Sequence, residues 1–417
     1  MALEVGRMKL CFLADARNPI ARNWISYFVS GGHEVRIISS YPCRSSTLPV
    51  ASQHVVPIAF SGLSRIRRDG SVESVGKIPL LAPLLAELRS GQLVHLRNVV
   101  RHCLGPLDMY RHAGRIKSIV RDIAPDLLHA MRIPFEGILA ALAVKDVPLL
   151  VSVWGNDFTL HARSNPMMKY LTQQVLHRAD ALHTDCQRDV RLARAYGFPA
   201  ARPAIVLPGA GGVQTDLFHP GPASHEWRDR YAIPPEVPVV FNGRGFGAYV
   251  RNDTFFKAIP LVLNQVPDVV FLSVRMANNP VAKQWVQELG IEQAVRLLPD
   301  VTRADMAELF RLADVAVSPT EHDGTPNTLL EAMASGSFPI AGDIESIREW
   351  IADGVNGLLC DPANPESLAQ AVLRAIKDVQ LRERAARENQ RLIAEKAEYN
   401  MVMQRAETFY REVIEAL

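Results

Sequence analysis

Cysteine is scarce in this 417-residue chain, and the five that occur (Cys11, Cys43, Cys103, Cys186 and Cys360) lie far apart with no C-x-x-C among them. That excludes zinc-finger spacing and gives no disulfide framework, so reduced thiols in a cytosolic protein are expected. Long apolar runs are missing too. No stretch of about 18 apolar residues occurs, so no membrane-spanning helix is expected. The segment Met1–Met8 lacks the apolar centre of a secretory leader. Charge of one sign is also lacking: 46 Lys and Arg oppose 44 Asp and Glu, for a net charge of +2. A nucleic-acid binder shows a larger or more clustered excess, so none is expected as a partner. No short-period repeat is present. What remains is ordinary globular material, 48% hydrophobic and 22% charged, in a chain too long for one core.

Short apolar runs alternate with helical stretches, and they do so twice. Met8–Ala14, Glu34–Ile38, Asp126–Ala130, Leu149–Val153, Ala181–Thr184 and Ile205–Leu207 read as buried strands. Residues 77–121 read as helix. A Pro- and Gly-rich stretch from Pro208 to Pro238 has the composition of a linker. Beyond it the pattern restarts with Val239–Phe241, Val269–Ser273, Val295–Leu298, Val315–Val317 and Ser337–Ile340. The expected class is α/β: two Rossmann-like, doubly wound parallel-sheet domains facing a cleft. The divisions expected are 1–208, a linker 209–237, a second domain 238–390, and a C-terminal helix 391–417. In such sheets ligands bind at the carboxyl ends of strands, so the chemistry belongs in the loops that follow them.

One such loop and helix runs from Ser318 to Gly336, directly after the strand Val315–Val317. Thr325 is placed to cap the helix, Pro326 suits its first turn, and Gly336 suits its end. The helix is apolar nearly all round, which marks it as buried, yet Glu331 stands in its middle and Asn327 lies on the same face. A buried carboxylate without partners is costly, so partners are expected. The amides at the helix start, around Gly324, Thr325, Pro326 and Asn327, form a site for phosphate or developing negative charge. Asp323 lies in the loop just before, with seven residues between it and Glu331. A second loop, Phe241-Asn-Gly-Arg-Gly-Phe-Gly247, follows the first strand of the second half. Gly243, Gly245 and Arg244 lie where a diphosphate would approach, and Arg251 follows at the edge of the next helix.

Together these elements resemble the retaining GT-B glycosyltransferases of family four, whose pattern is Glu, seven residues, Glu. Asp323 takes the first position, with a shorter reach, and Glu331 the second; Glu321 stands two residues before Asp323. The resemblance implies that Asp323 contacts donor-sugar hydroxyls, that Glu331 binds the nucleotide ribose, and that backbone amides between them meet the sugar and diphosphate. The family's Gly-Arg and Lys-Gly loop places Arg244, and Arg251 in the Lys position, on the diphosphate. Further matches are Gly32–Val35, Pro125–His129 and Asp353–Leu359. The resemblance also implies that the last helix crosses back onto the first domain.

The first half departs from that pattern: its opening loop is Ala14-Asp-Ala-Arg-Asn-Pro19, and Trp154-Gly-Asn-Asp157 stands where many members carry His. Trp154, Asp157 and His129 are acceptor-side candidates. A packed Trp, a capping Asp and a satisfied core His are the alternatives. The activity implied is transfer of a sugar from a nucleotide-diphosphate sugar to a glycan, lipid or small-molecule acceptor, with retention. No paired acids stand at a strand end with metal spacing, so no metal or resident cofactor is expected. A sugar-nucleotide epimerase or hydrolase, or a non-catalytic nucleotide-sugar-binding module, remains open on the same fold. From Arg65 to Arg121 there are eleven Lys or Arg against four Asp or Glu. That suits either peripheral contact with the inner face of a membrane or a solvated helix face.

Overall fold

The computed structural model describes residues 6–43, 48–59, 61, 64–66, 72–74, 94–223, 225–247 and 249–416, with the backbone alone for 64–66, 72–74, 94–104 and 106–107. The chain forms two compact units, Met1–Gly211 with Met403–Leu417, and Gly212–Val402.

The first unit holds a parallel sheet built from β1 (Lys9–Ala14), β2 (Glu34–Ser39), β3 (Ser52–Val55), β6 (Leu127–Ala130), β7 (Leu149–Val153), β8 (Ala181–Thr184) and β9 (Ala204–Val206). The strand order is β3-β2-β1-β6-β7-β8-β9, and a separate antiparallel pair joins β4 (Ser64–Ile66) to β5 (Val72–Ser74). The chain therefore runs outward from β1 in one direction, returns beside it, and runs the other way. The gap between β1 and β6 is a topological switch point, where loops diverge and leave a crevice. Helices α1 (Pro19–Ser30), α2 (Val94–Ile123), α3 (Ile138–Ala143), α4 (Pro166–Arg178) and α5 (Gln187–Ala195) cover the faces. Leu13, Ile38, Leu128 and Val151 of the strands pack with Ile116, Leu139, Met168 and Val175 of the helices in one core.

The second unit repeats the plan. Its order is β12-β11-β10-β13-β14-β15, made of β10 (Val239–Asn242), β11 (Val270–Ser273), β12 (Val295–Leu297), β13 (Val315–Ser318), β14 (Phe338–Gly342) and β15 (Leu358–Cys360). All its pairings are parallel. The switch point lies between β10 and β13. Helices α6 (His225–Arg230), α7 (Asn252–Leu263), α8 (Pro280–Glu288), α9 (Arg303–Leu312), α10 (Asn327–Ser335), α11 (Pro365–Lys377) and α12 (Val379–Lys396) surround it. Separate apolar clusters hold Phe255, Ile259 and Leu368, and Phe310, Leu330 and Met333. Helix ends follow local chemistry: Asn279, Asn364 and Asp378 cap α8, α11 and α12, and Thr302 with Asp305 forms a capping box on α9.

The last helix, α13 (Tyr399–Glu415), starts in the second unit and belongs from Met403 onward to the first. Strands β3, β4, β5 and β15 escape the sequence reading. Each is short and lies at the edge of its sheet, where one side needs no apolar partner and the pattern weakens. The stretch 209–237, linker-like in composition, is packed structure: Val213, Phe218, Trp227 and Ile233 enter the core of the second unit. The helix expected over 77–121 is described from Val94, and residues 75–93 lie outside the described chain.

Candidate functional site

The two loops singled out in the second half leave adjacent strands, β10 and β13, at the switch point. Asn242, fully buried at the end of β10, sets the first loop. Its carbonyl oxygen accepts from the Arg244 amide at 3.0 Å, and its amide donates to Asn252 Oδ1 at 3.1 Å. Gly243 lies tight against the Phe310 ring, where a Cβ would come within 3.1 Å.

The second loop is held from below. The Ser346 hydroxyl donates to the Asp323 carbonyl at 2.7 Å, and Trp350 Nε1 donates to Thr325 Oγ1 at 2.9 Å. Thr325 is thus an acceptor for an indole rather than the helix cap. The residue before α10 is Pro326, with no side-chain cap, and Gly336 ends the helix in the left-handed conformation. Gly342, at the end of β14, packs against the Thr320 backbone so closely that a Cβ would collide with its carbonyl oxygen.

Two of the expected residues meet directly here. Arg244 donates to Asp323 at 2.8 Å, and both are about one-sixth exposed. Asp323 also accepts from the Gly324 amide at 3.0 Å. Arg251, itself left-handed at φ 51°, is forked onto Asp253 at 3.0 Å and reaches Glu321 at 3.3 Å. The Asp253 bond raises the Arg251 pKa further and holds that of Asp253 below the usual carboxylate range. Glu331, buried in α10, does have a partner, and it is one the sequence reading missed: Arg303, at 3.2 Å. Burial raises the Glu331 pKa to about 7, against a smaller lowering by Arg303.

Around this cluster, the buried side-chain oxygens of Ser318, Thr320, Asn327 and Thr328 have no hydrogen-bond partner among the described residues. Each such group costs about 1–3 kcal/mol unless water or a ligand meets it. The gap among Gly243, Arg244, Ser318 and Thr328 measures only about 10 Å³. That is about one water's worth, so a larger ligand has to lie across its mouth.

Two models of known families match consecutive parts of the chain: one described as "Glycosyl transferase 4-like domain" over residues 18–209, and one as "Glycosyl transferases group 1" over residues 237–378. The chain belongs to the group 1 glycosyl transferase family. Curated relatives include a D-inositol 3-phosphate glycosyltransferase of Corynebacterium glutamicum, 27% identical over 50% of this chain and 52% of the relative. Another, of Geodermatophilus obscurus, is 28% identical over 73% and 66%. The chain thus spans between half and two thirds of the length of these relatives. Among solved structures, sucrose-phosphate synthase of Thermosynechococcus elongatus superposes with a TM-score of 0.73 at 14% identity, over 98% of this chain and 100% of that one. Anabaena HepE, solved with UDP and glucose, superposes at 0.71 and 16%, over 97% and 99%. The likeness establishes the two-domain GT-B fold.

The acceptor-side candidates of this glycosyl transferase chain have different settings. Asp157 turns inward and is fully buried. Arg132 donates to it at 2.9 Å, and the amides of Trp154 and Ile133 donate at 3.1 and 3.3 Å. It acts as the anchor of its loop, and burial pushes its pKa up. His129 is also buried, inside a directional chain of polar groups. Trp24 Nε1 donates to Tyr410 Oη at 2.8 Å, and Tyr410 lies 2.5 Å from His129 Nδ1. His129 Nε2 meets Ser152 Oγ at 2.7 Å, which meets His183 Nδ1 at 2.8 Å, and His183 Nε2 meets the Leu207 carbonyl at 2.9 Å. With both imidazoles neutral every hydrogen has one acceptor, so His129 works as a core residue. Trp154 lines a cavity at the ends of β1, β6 and β7. Among the described residues one trio has metal-ligating types close together, Asp185, Cys186 and Asp189, and Arg188 already donates to Asp189 there at 2.9 Å.

Proposed function

We propose that the chain transfers a sugar from a nucleotide-diphosphate sugar to an acceptor hydroxyl with retention of configuration and without a metal ion. The observation that carries this reading is the Arg244–Asp323 pair, formed between the loops that leave β10 and β13 at the switch point. The donor's diphosphate lies against Arg244, Arg251 and the start of α10. Its ribose hydroxyls donate to Glu331, and hydroxyls of its sugar donate to Asp323. Breaking the bond from the anomeric carbon to the phosphate oxygen leaves negative charge on the diphosphate, where fixed cations and helix amides stabilise it as it develops. The acceptor oxygen bonds to the same face of the anomeric carbon, and its proton passes to the departing phosphate oxygen. Arg244 then divides its donors between Asp323 and the diphosphate, which couples the sugar contact to the leaving group.

The test is a screen of nucleotide sugars with candidate acceptors, read as nucleotide release and as the anomer of the product by NMR. The expected product keeps the donor's anomeric configuration, and activity survives excess EDTA. Arg244→Ala should lower turnover about 100-fold or more, the scale for losing one charge-stabilising group. Nucleotide release at an equal rate without any acceptor favours a hydrolase. Tight nucleotide binding with no turnover favours a binding module. Dependence on magnesium or manganese overturns the metal-free reading.

A further inference from the structure

Helices α9 and α10 pack side by side, and both border the gap at Gly243. A Cβ on Gly243 would meet Phe310 at 3.1 Å and Met306 at 3.4 Å, both on α9, and Thr328 of α10 lines the same gap. Arg303 stands three residues before Met306, and Glu331 three residues after Thr328, so each shares a helix face with its neighbour. The Arg303–Glu331 ion pair, at 3.2 Å, therefore lies about one helical turn from the loop that carries Arg244. Its two ends are unequal. The Glu331 side chain is 11% exposed, while that of Arg303 is 45% exposed and rests over the Phe218 ring, 5.2 Å from its centroid. Phe218 is buried in the core and gives the guanidinium a fixed seat. Among the described residues no other charge acts on this carboxylate. Glu331 is the one charged residue of α10, and β13 and β14, packed against it, carry none. Helix α12 turns Leu381, Ala385, Asn389 and Ile393 inward. On α9 itself, Asp305 closes the capping box with Thr302, and Glu308 accepts from Arg311.

We propose that Arg303 is a positioning residue of the donor site: it holds the Glu331 carboxylate ionised and in one orientation, with Oε1 bound and Oε2 left to accept hydroxyls of the donor's ribose. The inference rests on the glycosyl-transfer reading and on the ribose contact within it. A buried carboxylate without a cation takes up a proton and becomes a poorer acceptor. Burial already raises the Glu331 pKa to about 7, and the guanidinium opposes a further rise. An opposite charge this close is worth about 1–3 pH units, and the low end applies because Arg303 is half-exposed. An ionised carboxylate that accepts from a hydroxyl forms a charge-assisted bond, stronger than one to its protonated form. Arg303 thus sets the pH above which the donor's ribose is held well, although its own guanidinium touches only Glu331 and Phe218.

Two readouts on the full chain separate this inference from the reading beneath it. The first is the titration of the Glu331 carboxyl by carbon NMR without ligand, its signal identified by its loss in Glu331→Gln. The second is the affinity for UDP-glucose or GDP-mannose, whichever binds more tightly, by calorimetry across about pH 5.5–8.5. The diphosphate diester of these probes does not titrate in that range, so a slope belongs to the protein. Arg303→Met should raise the carboxyl midpoint by about one unit. It should move the affinity profile upward by the same amount, a loss of about fivefold at pH 7. Arg303→Lys, which keeps the charge, should restore both. Arg303→Gln, neutral and polar, gives the same comparison if the methionine variant does not fold. A carboxyl midpoint that stays in place without the arginine overturns the inference and leaves the ribose assignment standing. A midpoint that rises while affinity keeps its wild-type profile removes the ribose assignment, and the donor role of Arg303 with it.

Discussion

Glu331 is the residue whose charge state matters most. Its side chain is buried and its pKa is raised from 4.5 to about 7. Between those values the folded chain keeps a proton that the unfolded chain releases, so stability falls as pH rises through this window. The loss is on the order of 3 kcal/mol once Glu331 is fully ionised. The ionised form is also the better acceptor for ribose hydroxyls. Nucleotide affinity is therefore expected to rise with pH through about 7, by calorimetry across pH 5.5–8.5. Glu331→Gln should remove that slope and weaken nucleotide about 10-fold or more at the alkaline end. The same variant should melt higher than wild type at pH 8 and alike at pH 5, because no charge remains to desolvate. A pH-independent wild-type affinity would sink the ribose assignment. Arg303, half-exposed over the Phe218 ring, is what holds the carboxylate in place.

Elements are joined by contacts that no local pattern announces. The polar chain from Trp24 to Leu207 fastens α13 to β6, β7 and β8. Burial holds His129 well below its usual pKa and His183 at about 4. The unfolded chain takes up these protons below about pH 6.5 while the folded chain does not. The stability that these two neutral histidines contribute is thus fully present above pH 6.5 and declines as pH falls toward 4. Tyr410→Phe removes the acceptor of the Trp24 indole and the donor to His129. It should cost about 1–3 kcal/mol in urea unfolding followed by tryptophan fluorescence. An unchanged midpoint would mean that the chain of bonds is dispensable. In the second unit, Gly342→Ala presses the end of β14 into the loop that carries Asp323. It should impair nucleotide-sugar turnover several-fold although the residue touches no substrate.

At the scale of the molecule, each unit carries its own switch point. No helix among the described residues is long and apolar enough to cross a membrane. Helix α2 nevertheless exposes Tyr110, Arg111, Arg115, Lys117 and Arg121 along its described half. The run Leu93–Arg101, also part of the basic segment, lies outside the residues whose side chains are described. Liposomes rich in anionic lipid are expected to retain the chain at low salt and release it at high salt, where the Debye length shortens. Sedimentation that ignores lipid charge would remove the membrane contact.

The sequence alone determined the alternation of buried strands and helices, the two doubly wound halves, and the loops that hold Asp323, Arg244, Arg251 and Glu331. It could do so because central parallel strands are apolar on both faces, and because glycines and a helix start mark the loops locally. Only the tertiary structure decided who partners whom. Arg303 reaches Glu331, Asp157 turns inward to hold Arg132, and His129 joins Tyr410 from the other end of the chain. These depend on which elements pack together: α9 must lie against α10, and β6 beside β7, before the first two pairs meet. A side chain's residue type is written in the chain, but its charge, its burial and its partner are set by what the fold packs against it.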